Sequence, residues 1–200
     1  MGIAERKLRH KEELKTLILD TAWQYVKKEG WQALSIRKIA DSIEYSVPVI
    51  YDHFANKDAI ILEFAKQGFA KLIDKLQAAK QKSDDPAEQL RLIADAYWQF
   101  AFANKEYYQL MFGLGITCCE VGKVLPEKIL FRELVMKPIT EILVQSPGKA
   151  DDACLKYHTF WSVLHGLISI KMMVNSDVSD ELNKLVMVDA VNGFIKNLQE

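Results

Sequence analysis

Apolar positions recur along this chain at intervals of three and four residues almost throughout, the period of a helix with one buried face. Leu14, Leu17, Ile18, Ala22, Tyr25 and Val26 form the first such stripe, and Gly30 stands where a helix is closed by a residue free to adopt positive φ. Trp31 and Leu34 follow as core residues. Ile36, Ile39, Ala40 and Ile43 then repeat the spacing over only two turns, with Ser35 placed as N-cap. A three-residue break, Glu44-Tyr45-Ser46, interrupts the pattern. Ser46 is placed to cap a second short helix, whose early Pro48 sits in a first turn where a missing N–H costs nothing.

Beyond Lys57 the stripe becomes long: Ile61, Phe64, Ala65, Gly68, Phe69, Leu72, Ile73 and Leu76 hold helical spacing over several turns. Ser83-Asp84-Asp85-Pro86 stops that helix and starts another, from Pro86 to about Ala103, with Leu90, Ile93, Ala94, Tyr97, Trp98 and Ala101 inward. Lys105 to Leu114 is a shorter helical piece, and Gly113, Gly115 and Gly122 mark a looser connection. Pro126 opens a further helix in which Pro138 is expected to cause a kink, and Ser146-Pro147-Gly148 ends it. Two long helices close the chain, from about Asp151 to Val174 and from about Asp180 to Leu198, separated by Asn175-Ser176-Asp177-Val178-Ser179. The expected fold is therefore all-α, about nine helices, with no repeats and no low-complexity tract.

Two short helices around a tight turn make a helix-turn-helix, whose second helix enters the major groove of DNA. Here the chain resembles the tetracycline-repressor (TetR) family of bacterial transcriptional regulators. The resemblance runs from about Ile18 to Phe69, through Leu34-Ser35-Ile36-Arg37-Lys38-Ile39-Ala40 and above all Ile50-Tyr51-Asp52-His53-Phe54-Ala55-Asn56-Lys57-Asp58. It implies an N-terminal three-helix DNA-binding domain, residues 1–58, joined to a helical ligand-binding and dimerisation domain, residues 59–200. One departure stands out. The family usually has glycine or another small residue in the turn where this chain has Glu44, so a slightly different backbone is expected there.

The DNA-facing candidates are Ser35, Arg37, Ser46, Val47, Pro48, Val49, Tyr51, His53 and Lys57. Ser35 and Arg37 offer a hydroxyl, backbone N–H groups and a guanidinium to a phosphate, and Tyr51 and His53, near the end of the second helix, offer donors on either side of the groove. Lys57 follows the cap-like Asn56, so its charge and a helix N-terminus can hold one phosphate together. Val47, Pro48 and Val49 are apolar and suit thymine methyls and groove shape better than a donor–acceptor code. Phe54 is expected in the core.

A net charge of −1 over 200 residues is not that of a uniformly basic protein, although nucleic-acid binding depends on a local surface. Arg6, Lys7, Arg9, His10, Lys11 and Lys15 form a basic N-terminal arm, diluted by Glu5, Glu12 and Glu13, suited to lie along the DNA backbone, with the solvated start of a helix as the alternative. The charged first residues and the lack of a long uncharged apolar stretch point to a cytoplasmic protein with no membrane segment. Cys118, Cys119 and Cys154, an odd number without C-x-x-C spacing, suggest neither a disulfide framework nor a zinc site. No metal or cofactor is expected.

The last two helices are apolar on more than one side. Trp161, Val163, Leu164, Leu167, Ile168, Ile170, Met172, Met173 and Val174 crowd the first, and Leu182, Leu185, Val186, Val188, Val191, Phe194, Ile195 and Leu198 the second. One core cannot cover both faces, so a two-fold homodimer built on these helices is expected. Trp161-Ser162-Val163-Leu164-His165-Gly166 also resembles the Trp-His-Gly (WHG) motif of one subgroup of C-terminal domains. Trp98, Phe102, Tyr108, Met111, Phe112, Trp161 and His165 are the candidates for lining an effector cavity, and core packing is the alternative for each. Lys105, Glu106 and Glu120 give little grip on a strongly charged molecule, so the effector is expected to be hydrophobic or weakly polar. Together these features imply a dimeric repressor that binds a palindromic operator on double-stranded DNA and is released by a small molecule. Control by a protein partner or by oxidation of Cys118 and Cys119 is the alternative. A helical-bundle enzyme finds no support in any catalytic motif.

Overall fold

The computed structural model describes residues 2–113, 125–145, 152–173 and 179–200. Cys118, Cys119, Glu120, Leu114, Gly115, Gly122, Asp151 and Val174 lie outside them, as do Ser146-Pro147-Gly148 and Asn175-Ser176-Asp177-Val178. The described residues form nine α-helices: α1 (Ile3–Glu29), α2 (Ile36–Ser42), α3 (Val47–Tyr51), α4 (Lys57–Lys80), α5 (Pro86–Ala103), α6 (Lys105–Met111), α7 (Pro126–Gln145), α8 (Ala153–Met173) and α9 (Asp180–Gln199). A 3-10 turn, Trp31–Ala33, links α1 to α2. There is no strand among these residues, as the unbroken 3.6-residue period requires.

The described residues fall into two compact units. The first comprises residues 2–66 and 109–113. Its core is small and aromatic: Ile18, Ala22 and Val26 of α1 are buried with Trp31, Leu34, Ile39, Ala40, Ile50 and Phe54. Trp23, Trp31 and Phe64 form a triangle of rings with centroids 5.5–6.0 Å apart, which fastens the start of α4 to α1. Gly30 ends α1 at φ 80°, its N–H donating to the Val26 carbonyl. Leu17, placed on the first stripe by its spacing, is instead exposed, because it lies a full 100° round the helix from Ile18. The basic segment before Leu14 is the exposed start of α1.

The second unit comprises the remaining described residues, from Gln67 onward. In it α5, α7, α8 and α9 pack on one another. Asp85 caps α5 by accepting from the N–H groups of Ala87 and Glu88, at 3.4 and 3.0 Å, and Ser179 caps α9 through the Leu182 N–H. Helix α7 runs through Pro138, which is buried within it. On α8 the buried positions are Tyr157, Phe160, Leu164 and Ile168, a single stripe. Leu155, Val163 and Ile170 on α8 and Leu182, Leu185, Val186 and Val188 on α9 remain exposed.

Candidate nucleic-acid interface and effector site

Helices α2 and α3 are joined by four residues whose backbone follows from hydrogen bonding. Tyr45 N–H donates to the Ala40 carbonyl at 3.0 Å and Glu44 N–H to that of Asp41 at 3.4 Å, the paired bonds of a Schellman closure. Glu44 sits at φ 59°, the only positive φ at a non-glycine among the described residues. The expected different backbone is therefore not what forms: the turn keeps the left-handed geometry that glycine serves, and a glutamate occupies it.

Helix α3 is anchored from below and open above. Ile50 is fully buried and Phe54, just beyond the helix, is 5% exposed, while Tyr51 is 51% exposed. Val47 and Val49 are half-buried, and Pro48 and Ser46 are exposed. The outer face of α3 is thus Val47, Pro48, Val49 and Tyr51. Ser35 and Ser46 stand at the N-cap positions of α2 and α3, but neither side chain makes a capping bond, leaving both hydroxyls available to an outside acceptor. Arg37 is exposed. Its neighbour Lys38 is engaged within the unit, 3.0 Å from Glu29, whose carboxyl is held below the usual range by that bond, and over the Tyr25 ring.

His53 lies past the end of α3 rather than within it, half-buried. Desolvation lowers its affinity for a proton, Lys11 pushes the same way and Asp52 opposes. The Asn56 side chain accepts from the Ala59 N–H at 2.8 Å and so caps α4, with Lys57 as its first residue. Lys57 and a capped helix start stand together, as the spacing implies.

In the second unit five of the cavity candidates form two ring clusters. Tyr108 lies 2.6 Å from His165 Nδ1, Tyr97 donates its hydroxyl to Tyr108 at 3.2 Å, and Ser169 is 3.4 Å from His165 Nε2. Trp161 stacks on His165, with centroids 4.7 Å apart and planes within 10°. Burial raises the pKa of both tyrosines and lowers that of His165, so all three rings are neutral. The second cluster is Trp98 and Phe102, 4.9 Å apart, with Lys171 Nζ 5.5 Å over the first ring and 4.9 Å over the other. Lys171 also pairs with Asp180 at the start of α9, its own side chain 16% exposed against 90% for Asp180. Met111, buried, and Phe112, half-buried, belong to the first unit.

A void of about 10 Å³, the size of one water, lies among Ile93, Tyr97, Phe131, Val135, Phe160, Trp161 and Leu164. Tyr97, which its spacing marks only as core, and Lys171 are residues of these clusters that ring content and spacing do not single out. The latter had a signal: it is the only Lys, Arg, Asp or Glu between Tyr157 and Met173. No group of side chains suited to a metal occurs among the described residues, and no helix there is long and apolar enough to cross a membrane.

Comparison with known proteins places both units. Residues 18–64 match the family described as bacterial regulatory proteins, tetR family, and residues 90–186 match a tetracyclin repressor-like C-terminal domain. Over 102 residues the chain is 26% identical to the HTH-type transcriptional activator FasR of Mycolicibacterium smegmatis. That stretch is 51% of this chain and 47% of FasR, so the chain matches about half the length of this relative. Among solved structures, a protein of unknown function from Rhodococcus sp. RHA1 shares the fold with TM-score 0.79 and 22% identity, over 94% of this chain and 96% of that one. Bacillus subtilis FadR, in complex with stearoyl-CoA, shares it with TM-score 0.69 and 16% identity, over 92% and 97%.

Proposed function

We propose, from the premise that this chain belongs to the TetR family of bacterial regulatory proteins, that it is a dimeric repressor released from a palindromic operator by an acyl-type effector. The observation that carries the DNA-binding part is the construction of α3: Ile50 and Phe54 are sunk in the core, so Val47, Pro48, Val49 and Tyr51 are presented outward on a rigid base. In the major groove the valines and proline meet thymine methyls. Tyr51, His53, Arg37, Ser35 and Lys57 hold phosphates on either side.

The exposed apolar positions of α8 and α9 support the dimer, since a surface carrying Val163, Ile170, Leu182, Leu185 and Val188 is stabilised by covering. Two copies related by a two-fold axis then read two half-sites about one turn of DNA apart. The effector site we assign, within the second unit, to Trp98, Phe102, Tyr108, Trp161 and His165, with Tyr97 and Lys171 added. An acyl chain is compatible with the apolar surroundings of the small void, the Tyr97–Tyr108–His165 chain gives its polar end hydrogen-bond partners, and stearoyl-CoA is the ligand of the similarly folded FadR. Pockets for such ligands exceed about 300 Å³, so a ligand seated at this void parts α5, α7 and α8. Helix α4 contributes residues to both units and is the continuous element through which that parting favours a conformer unable to bind DNA. Activation is the second reading for the sign of regulation, because FasR is an activator.

A gel-shift titration against the DNA upstream of the gene, at fixed salt, tests this. Tight binding, lost in Tyr51→Ala and reversed by stearoyl-CoA, is the expected result. Binding indifferent to saturating stearoyl-CoA would remove the acyl effector, and binding indifferent to Tyr51→Ala would remove the DNA-facing role of α3.

A further inference from the structure

The buried stripe of α1 runs through Leu14, Ile18, Ala22 and Val26 in steps of four. Continued backward in steps of three and four it passes through Lys11, His10 and Lys7. The face that is apolar and buried against the helix-turn-helix is therefore basic and exposed where α1 extends beyond it. Every residue from Gly2 to Glu13 is exposed. The acids of this segment, Glu5, Glu12 and Glu13, lie off the stripe, and Glu13 pairs with Arg9 on the opposite side at 3.5 Å. Lys7 and Lys11 meet no carboxylate at ion-pair distance among the described residues, whereas Lys15, one turn on, reaches Glu63 at 4.0 Å. The charge of Lys11 is felt at His53, beside the end of α3, more strongly than the opposing charge of Glu12.

A helix that projects three turns past its last core contact gains nothing from packing there, and its charges are sorted by face. From Lys7 to Lys11 the rise is about 6 Å, close to the roughly 7 Å axial distance spanned by three successive phosphates of one strand. We propose that the projecting turns of α1 are a second DNA-binding element, in which Lys7 and Lys11 hold the phosphate backbone flanking the half-site read by α3. This rests on the DNA-binding role of α3 and extends the contact outward without adding base readout. It widens the footprint of each protomer and steepens the salt dependence of binding at every sequence alike.

The test uses the full chain and a duplex of arbitrary sequence, because the contact is to backbone only, followed by the same duplex with a bound site once one is selected. Fluorescence anisotropy measures affinity from about 50 to 200 mM salt for the wild type, for Lys7→Gln/Lys11→Gln, and for Lys82→Gln/Lys137→Gln, which removes the same charge from exposed positions elsewhere. Two lost phosphate contacts flatten the slope of log K against log salt by nearly 2, equivalent to about tenfold less loss of affinity over that range. The inference predicts this flattening in the α1 variant alone, with equal weakening of specific and arbitrary duplexes. Unchanged slope in the α1 variant, or equal flattening in both variants, overturns it while leaving the role of α3 intact. A wild-type chain that binds no DNA at any of these salts overturns both. Since the substituted residues are fully solvated, unaltered circular dichroism and melting of the variant are expected and confirm that the comparison is between folded proteins.

Discussion

Glu44 illustrates how a single side chain is overruled by the backbone around it. The 6→1 and 5→2 hydrogen bonds that end α2 require a left-handed residue between Ile43 and Tyr45, and the core positions Ile39, Ala40 and Ile50 on either side fix where the chain must go. A β-carbon in that conformation costs about 1–2 kcal/mol, partly offset by the flexibility that glycine adds to the unfolded chain. Glu44→Gly is therefore expected to raise stability by about 0.5–1 kcal/mol, read as a higher urea midpoint at unchanged slope. A lower midpoint would mean that the glutamate is held there by an interaction worth more than the strain. Spacing and capping rules located the turn correctly. They could not reveal its φ, because the residue type argued against the conformation that hydrogen bonding imposes.

At the scale of the element, α8 shows where periodicity stops being informative. Its apolar residues surround the axis, so sequence spacing alone does not separate the buried stripe Tyr157, Phe160, Leu164 and Ile168 from the exposed Leu155, Val163 and Ile170. Nor does it pair His165 with Tyr108, 57 residues away. Helix starts were legible where a side chain caps them, as with Asp85, Asn56 and Ser179, and the start of α1 was not, because its first three turns bury nothing.

The half-buried imidazole of His165 has a measurable consequence. His165 is held neutral by desolvation, below its ordinary value of 6.5. The unfolded chain therefore takes up a proton near that pH while the folded chain resists, so the stabilisation is complete above about pH 6.5 and is lost as pH falls from there to the folded value. His53 acts in the same direction. His165→Gln is expected to reduce the loss of stability between about pH 7.5 and 5.5 without abolishing it. An equally large loss in the variant would show that His165 is not the group concerned.

For the whole molecule, what the sequence displays most plainly is an all-α chain with a helix-turn-helix near its start, and the structure adds that α4 contributes residues to both compact units. The proposed effector site is less legible. Its candidates were chosen by ring content, and five of the seven do cluster, yet Tyr97 and Lys171 are recognisable only once α5, α6 and α8 are folded together. The account's central claim is that α3 reads DNA as one of a symmetric pair. Selection of duplexes from a random-sequence library by the wild-type chain and by Tyr51→Ala tests it most directly. The claim predicts that the wild type enriches one palindrome with half-sites about one helical turn apart, rich in thymine where Val47 and Val49 approach, and that Tyr51→Ala enriches nothing. Enrichment of no sequence by the wild type, or of the same palindrome by both proteins, would contradict it.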